Sequence, residues 1–414
     1  MEITYLTPDE HGEVEWPSFD NDRKAVVTLG AFDGMHRGHQ AVIRRTVELA
    51  RQHGAFSVVI LFNPRPAFVH GWAAKHDGTE PTAANVDAEA LTSAHERLRR
   101  MEQLGVDHVL VVRYTLAFAS KSYIFFLGRL TGKLGMRTLV LGQDAAMGKG
   151  REGDVAHIAN LAAATGVFEL DVVDDRGPGE VRIPRDFKPE MPEQWGEPHD
   201  PLAGATKAER RAWSKKHQAR AMRAWSSTNV RYLLAHGRIQ DANAILGEPH
   251  GIEGVVVHGE ERGRTIGFPT ANLGTDVEGY IPVDGVYAGW LVDLGPASAQ
   301  DGQGSMSSEV QSESQSNMPA GREESADCDA ALRKPLRWPA AISIGTKPTF
   351  SEKTGLHERV VESYCITDDW LELYGHKVRV EFTGFLRPQV KFDGPDALVD
   401  ELKRNVEETK RLTA

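Results

Sequence analysis

The run VVTLGAFDGMHRGH at 26–39 places His36 and His39 three residues apart, directly after Gly30 and Gly34. The chemistry this permits is anion handling. Glycines let backbone N–H groups approach a polyphosphate closely. A helix that starts at the histidines adds a partial positive charge at its N-terminus. Imidazoles at i and i+3 share one face of the first turn, so the pair can steady charge developing on a transferring phosphoryl group. A second run, RGRTIGFPTANL from 262, has related properties. Gly263 and Gly267 suit a loop whose amides cradle phosphate, and Pro269 stiffens the turn. Thr270 and Asn272 lie two apart, so on an extended segment their neutral oxygens point the same way and suit Mg²⁺.

The elements that must position these residues fall into two textures. In the first half, apolar runs at 25–31, 57–62, 107–113, 137–141 and 167–173 read as strands. Stretches at 39–53, 89–104, 123–135 and 154–165 have helical spacing. Strand and helix alternate, which predicts an α/β fold with a helix-covered parallel sheet. From about 252 the pattern changes to short β-rich stretches with glycine turns, then a helical tail from about 395 to 412. Short strands without helices between them predict a small antiparallel β-barrel. Two segments break these patterns. Residues 186–224 begin rich in Pro, Gly and acid and continue as a basic stretch, 207–224, that reads as a solvated helix. Residues 296–335 are dense in Ser, Gln and acid and read as a disordered loop.

Composition bounds the function classes. The 414 residues suit two domains, with 40% hydrophobic and 26% charged residues as in ordinary globular chains. A net charge of −11 argues against broad nucleic-acid binding. Cys328 and Cys365 are the two cysteines, too few for a metal or disulfide framework, so a reducing cytoplasm is expected. No signal-peptide pattern and no membrane span is expected.

HxGH directly after a strand, with its GAFDG lead-in of Gly30, Phe32, Asp33 and Gly34, resembles the nucleotidylyltransferase superfamily, and its FAD synthetase members in particular. FNPRP at 62–66, LGQDAAMGKGREGD at 141–154 and WSSTNVRYLL at 225–234 follow in that family's order. The resemblance implies a Rossmann-like domain over 1–246 that binds ATP. It places Asn63 and Asp144 near the nucleotide, and Ser227, Thr228 and Arg231 on the outer phosphates. The same Ser-Ser-Thr is also a good helix N-cap, and the two roles are compatible. Two departures stand out: Arg65 where the family has histidine, and Ala145 and Met147 where it has aromatics.

GFPTAN resembles the signature of riboflavin kinases, and IPVDGVYAGWL, SIGTKPTF, RVVESYCI, LELYGHKVRVEF and FLRPQVKF follow in that family's order. This resemblance implies a kinase domain over 247–414. Glu362 is implied as general base, Thr270 and Asn272 as Mg²⁺ ligands with ATP as co-substrate, and Arg387 as a flavin or phosphate contact. A lone strand glutamate otherwise reads as solvent-facing, and Glu358 lies four residues earlier on the same face.

The expected activity is therefore synthesis of FMN from riboflavin, then of FAD from FMN, each with ATP, by a monomer or weak homo-oligomer. The alternatives are a kinase with a degenerate first half, on the strength of Arg65, Ala145 and Met147, and a flavin-binding protein without turnover.

Overall fold

The apolar runs of the first half pair as one parallel sheet. The computed structural model describes residues 1–19, 22, 24–259, 268–297, 335–346 and 359–414. The sheet strands are β1 (Glu2–Leu6), β2 (Ala25–Gly30), β3 (Phe56–Phe62), β4 (His108–Val112) and β5 (Met136–Gly142). A short ladder, β6 (Ala146–Met147) with β7 (Gly153–Asp154), then precedes the sixth strand, β8 (Glu169–Val173). The order is β1-β4-β3-β2-β5-β8. Alternate strand residues feed opposite faces, as the pleat requires. One set, including Val27, Ile60, Leu110 and Leu139, packs with Phe126, Leu130 and Ile158. The other, including Val59, Leu61 and Val109, packs with Ile43, Val47, Leu98 and Met101.

The covering helices are α1 (Arg37–His53), α2 (Pro66–Lys75), α3 (Ala94–Gln103), α4 (Leu116–Ala119), α5 (Tyr123–Lys133) and α6 (Val155–Thr165). From β2 the chain builds outward through β3 and β4, then returns to lay β5 and β8 on the other side. The switch point is thus between β2 and β5, and a crevice opens at their carboxyl ends, where open α/β sheets take ligands.

The expected helix at 207–224 is shorter than the basic stretch. It runs as α7 (Lys207–Lys216), capped by Thr206 and Glu209. Gln218 adopts φ 49°, and Arg220–Arg223 becomes β10, antiparallel to β9 (Glu180–Ile183). A pairing partner for the main chain overrides helical periodicity here. Helices α8 (Ser227–Ala235) and α9 (Ile239–Leu246) lead into the second module.

There, β11 (His250–Val257), β12 (Ala271–Leu273), β13 (Gly285–Pro296), β14 (Arg337–Thr346), β15 (Arg359–Cys365) and β16 (His376–Arg387) close a barrel in the order β11-β12-β15-β14-β13-β16. Every pairing is antiparallel. Tyr287, Ile342, Ile344, Val361, Val380 and Phe382 fill it. The terminal helix α10 (Pro395–Thr413) lies against its outside. The segment expected to be disordered lies almost wholly outside the described residues.

Polar contacts join the modules. Arg379 of the barrel reaches Glu96 on α3 at 2.5 Å, and Arg99 and Arg100 close on the same carboxylate at 2.6 and 2.7 Å. Burial alone would raise the Glu96 pKa, but the Arg99 hydrogen bond and the charges of Arg100 and Arg379 outweigh it and hold it at about 2. Gln40 of α1 donates to the Leu246 carbonyl at 2.7 Å.

The Pro- and acid-rich segment straps across this joint. Gly196 donates to the Leu386 carbonyl at 2.7 Å, while the Glu197 carboxylate accepts from the N–H groups of Phe385 (2.8 Å) and Gln240 (2.7 Å). Burial lifts Glu197 from 4.5 to about 7, against those bonds. A carboxyl raised on folding binds its proton more tightly in the folded state. Its contribution is full below the unfolded value and is lost as pH rises through about 7. Melting curves of wild type and Glu197→Gln from pH 5 to 8 should show the wild-type advantage shrinking as pH rises, by about 2–4 °C. A pH-independent difference would contradict the account.

Candidate functional site

The crevice is built from the loop that leaves β2. Phe32 and Met35 take φ values of 46° and 44°, and Gly34 takes 79°, which turns the chain sharply into α1. His36 is the N-cap of α1: its Nδ1 accepts the His39 N–H at 3.3 Å, which puts its own proton on Nε2. The His36 and His39 rings stack with centroids 3.6 Å apart. Gly38 has no alternative, because a Cβ there would lie 2.3 Å from the Asp175 carbonyl oxygen.

Both rings are neutral. Burial, then the nearby Arg223 and Arg231 charges, push His36 down to about 3. Burial and the neighbouring His36 hold His39 well below its usual range. The pair therefore offers hydrogen bonds rather than positive charge. His36 Nε2 and His39 Nδ1 are buried and find no partner in the protein. An unsatisfied buried polar group costs about 1–3 kcal/mol, a cost that an anionic oxygen on His36 Nε2–H would remove.

Asp33 is 4% exposed and gathers the other motifs. Its carboxylate accepts the Leu91 N–H at 2.8 Å, pairs with Arg231, and meets Arg65 at 3.2 Å. Arg65 also grips Asp87 through two 2.6 Å bonds. Arginine in place of histidine is thus a buried tie, with two carboxylates to hold it. Ser226, not Ser227, caps α8 by accepting the Asn229 N–H at 3.2 Å. Ser227 is free to donate to the Asp33 carbonyl at 2.8 Å. Thr228 follows, half-buried.

Asn63 accepts from Arg97 at 2.9 Å. Asp144 lies after β5 and faces Arg223 at 3.3 Å, while Arg223 also holds the buried Asp175 at 2.7 Å. Ala145 and Met147 turn into the core beneath the sheet. Arg223 and Asp175 were not singled out from the sequence. Arg223 sat within a basic stretch, and Asp175 is one of two adjacent aspartates following an apolar strand.

On the barrel, β12 sets Asn272 opposite Glu362 of β15, and β14 sets Ser343 opposite Glu362 on its other side. Ser343 in turn faces Val286, and Val286 faces Arg387. Val361, Ile342 and Ile344 point into the barrel, so this row lies on the outer surface. Three strand spacings separate Glu362 from Arg387, roughly 14 Å.

The Asn272 amide donates to the Thr270 carbonyl at 3.2 Å. Gly259 packs so tightly on that amide that a Cβ would come within 2.4 Å. Thr270 and Asn272 carry neutral oxygen donors of the kind Mg²⁺ accepts, with Glu362 opposite Asn272 on the next strand. Pro269 is exposed just before them. Arg387 is 3% exposed. It pairs with Glu401 at 3.2 Å and contacts Asn405 at 3.4 Å, both on α10, with Trp195 and Phe392 against its guanidinium. Gly263, Gly267, Glu358 and residues 347–350 of the SIGTKPTF run lie outside the described residues.

A switch-point crevice lined by HxGH, joined to a closed barrel with a carboxylate and neutral oxygen donors on its surface, defines a two-module nucleotide-dependent transferase. Residues 18–187 match the family described as FAD synthetase, and residues 246–413 match the family described as riboflavin kinase. The chain belongs to the bifunctional riboflavin kinase/FAD synthetase family. Among its relatives is the bifunctional riboflavin kinase/FMN adenylyltransferase of Listeria monocytogenes, 28% identical over 97% of this chain and 95% of that one. The protein of the same name from Escherichia coli is 29% identical over 92% and 89%. A crystal structure described as a macrolide-efflux protein from Streptococcus pneumoniae superposes with a TM-score of 0.64 at 24% identity, covering 98% of each chain, and is a likeness of fold alone.

Neutral, buried imidazoles should not titrate near 6.5. Histidine-ring NMR, assigned with His36→Asn and His39→Asn, should show both rings unprotonated from pH 8 down to about 5, as a folded pKa of about 3 for His36 requires. A midpoint near 6.5 for either ring would overturn this.

Proposed function

We propose that both halves are active and act in sequence: the barrel phosphorylates riboflavin to FMN, and the α/β module adenylylates FMN to FAD, each with ATP. The observation that carries the reading is the coincidence of each family match with a site of fitting chemistry. We assign residues 1–246 to the adenylyltransferase and 247–414 to the kinase.

In the barrel, Glu362 takes the proton from the terminal ribityl hydroxyl, whose oxygen attacks the ATP γ-phosphorus as the bond to the ADP oxygen breaks. Thr270 and Asn272 would hold Mg²⁺, which when bound would offset phosphate charge; Gly263, Gly267 and Pro269 are assigned to phosphate binding. Its register opposite Asn272 supports Glu362 as the base. Arg387 stands at the flavin end of the row, a riboflavin-scale distance away.

In the α/β module, an FMN phosphate oxygen attacks the ATP α-phosphorus and pyrophosphate leaves, with no covalent enzyme intermediate. His36 and His39 donate hydrogen bonds around the α-phosphate. Gly30, Phe32, Asp33 and Gly34 form the loop beneath it, with Asn63 and Asp144 towards the nucleoside. Ser227, Thr228 and Arg231 take the leaving pyrophosphate, Arg231 by exchanging Asp33 for phosphate oxygens. Catalysis is positioning and electrostatic stabilisation. The kinase-only alternative loses its motivation. Arg65 is fully paired and Met147 packs in the core, so these departures leave the histidine pair intact. A cytoplasmic location fits substrates of this kind.

Two variants separate the activities. Glu362→Gln should lower FMN formation from riboflavin by about 10²-fold or more while sparing FAD formation from FMN. His36→Ala should do the reverse. Loss of both activities in either variant, or loss of neither, would refute the assignment.

A further inference from the structure

The row on the barrel's outer face contains one polar side chain that the proposed chemistry does not use, Ser343, and it has a partner of its own. Gln389 lies just after β16. Its side-chain nitrogen donates to the Ser343 hydroxyl at 3.0 Å, to the Ile344 carbonyl at 2.9 Å and to the Gly285 carbonyl at 3.3 Å. Two of these partners are backbone carbonyls, which only accept. The atom facing them must therefore be the amide nitrogen, and the flip of the amide is fixed by chemistry. The Ser343 hydroxyl is then an acceptor in this contact, and its own proton is directed elsewhere.

Cross-strand neighbours on one face of an antiparallel pair have Cβ atoms about 4.5–5.5 Å apart. Ser343 has two such neighbours: Val286 on β13 and Glu362 on β15. The Val286 side chain has no acceptor, whereas the Glu362 side chain has two carboxylate oxygens. We infer that Gln389 and Ser343 form a positioning relay for Glu362: the amide orients the hydroxyl, and the hydroxyl donates to the carboxylate and aims it at the riboflavin hydroxyl. The inference rests on the reading of Glu362 as the base. Neither residue touches the reacting atoms.

The relay has a signature that a packing role lacks. A donor that aims the base acts on the chemical step and not on riboflavin binding, so its loss should fall on kcat and spare KM. For Ser343→Ala the expected result is a fall of about tenfold in kcat for FMN formation with little change in KM for riboflavin. Gln389→Ala should lower kcat by less. Ser343→Thr, which keeps a hydroxyl, should restore kcat. FAD formation from FMN by the same full-length preparations reports that each variant is folded.

Wild-type kcat in Ser343→Ala, measured alongside an inactive Glu362→Gln, would overturn the relay and leave the base in place. An active Glu362→Gln would overturn the base, and the relay with it. A Ser343→Thr variant as impaired as Ser343→Ala, with FAD formation intact, would also overturn the relay.

Discussion

The first module depends on the Asp33 carboxylate. Its partners come from three places far apart in sequence: the Leu91 N–H before α3, Arg65 after β3, and Arg231 on α8. Arg65 and Arg231 each lie in a separate motif, so one buried acid draws these motifs together with its own. A buried carboxylate is tolerable only when it is paired, and breaking such a pair costs about 3–5 kcal/mol because a charge is stranded. The three partners therefore enforce one another. The arrangement also gives Arg231 something to release. A polyphosphate offers more negative charge than Asp33 does, so in the proposed reaction the guanidinium passes from an internal partner to the substrate.

That organisation reaches the second module. Leu91, whose N–H binds Asp33, buries its side chain in the same apolar cluster as Leu273 and Val256 of the barrel. Ser93, two residues on, donates to Glu253 of β11 at 3.1 Å. Leu273 follows Asn272 directly. One connecting segment thus touches the loop under one site and the strands beneath the other. The Glu96 cluster and the Glu197 strap close the joint on either side.

Most of the fold was legible because its signals are local. Buried strands such as 57–62 are continuous apolar runs, and α1 shows its face in Val42, Ile43, Val47 and Ala50. The histidine loop was legible because glycine spacing and HxGH state a backbone conformation as well as a chemistry. What escaped depends on pairing. β1 is an exposed edge strand, EITYL, with too little apolar character to stand out. Arg220–Arg223 has helical company in sequence and becomes a strand only because β9 lies beside it. The Ser-Ser-Thr run supplies the expected cap, and the turn geometry decides that Ser226 is the residue that makes it. Arg223 and Asp175 carry no motif, and Ser343 and Gln389 lie in the SIGTKPTF and FLRPQVKF runs without a role of their own; each acquires meaning from a partner at least 46 residues away or across a strand.

The contrast between the two sites follows from their nucleophiles. A ribityl hydroxyl must lose a proton to attack, so the proposed kinase chemistry needs a base, and a carboxylate on a strand is aimed by its neighbours. The FMN phosphate is already an anion near neutral pH, since its second pKa lies near 6. It has no proton to give up, and the α/β module has no use for a base. What it needs are donors that do not neutralise or trap the attacking anion before reaction. In the proposed assignment, two stacked imidazoles kept neutral by burial would meet that need, hydrogen-bonding the shifting charge without adding a fixed positive charge of their own.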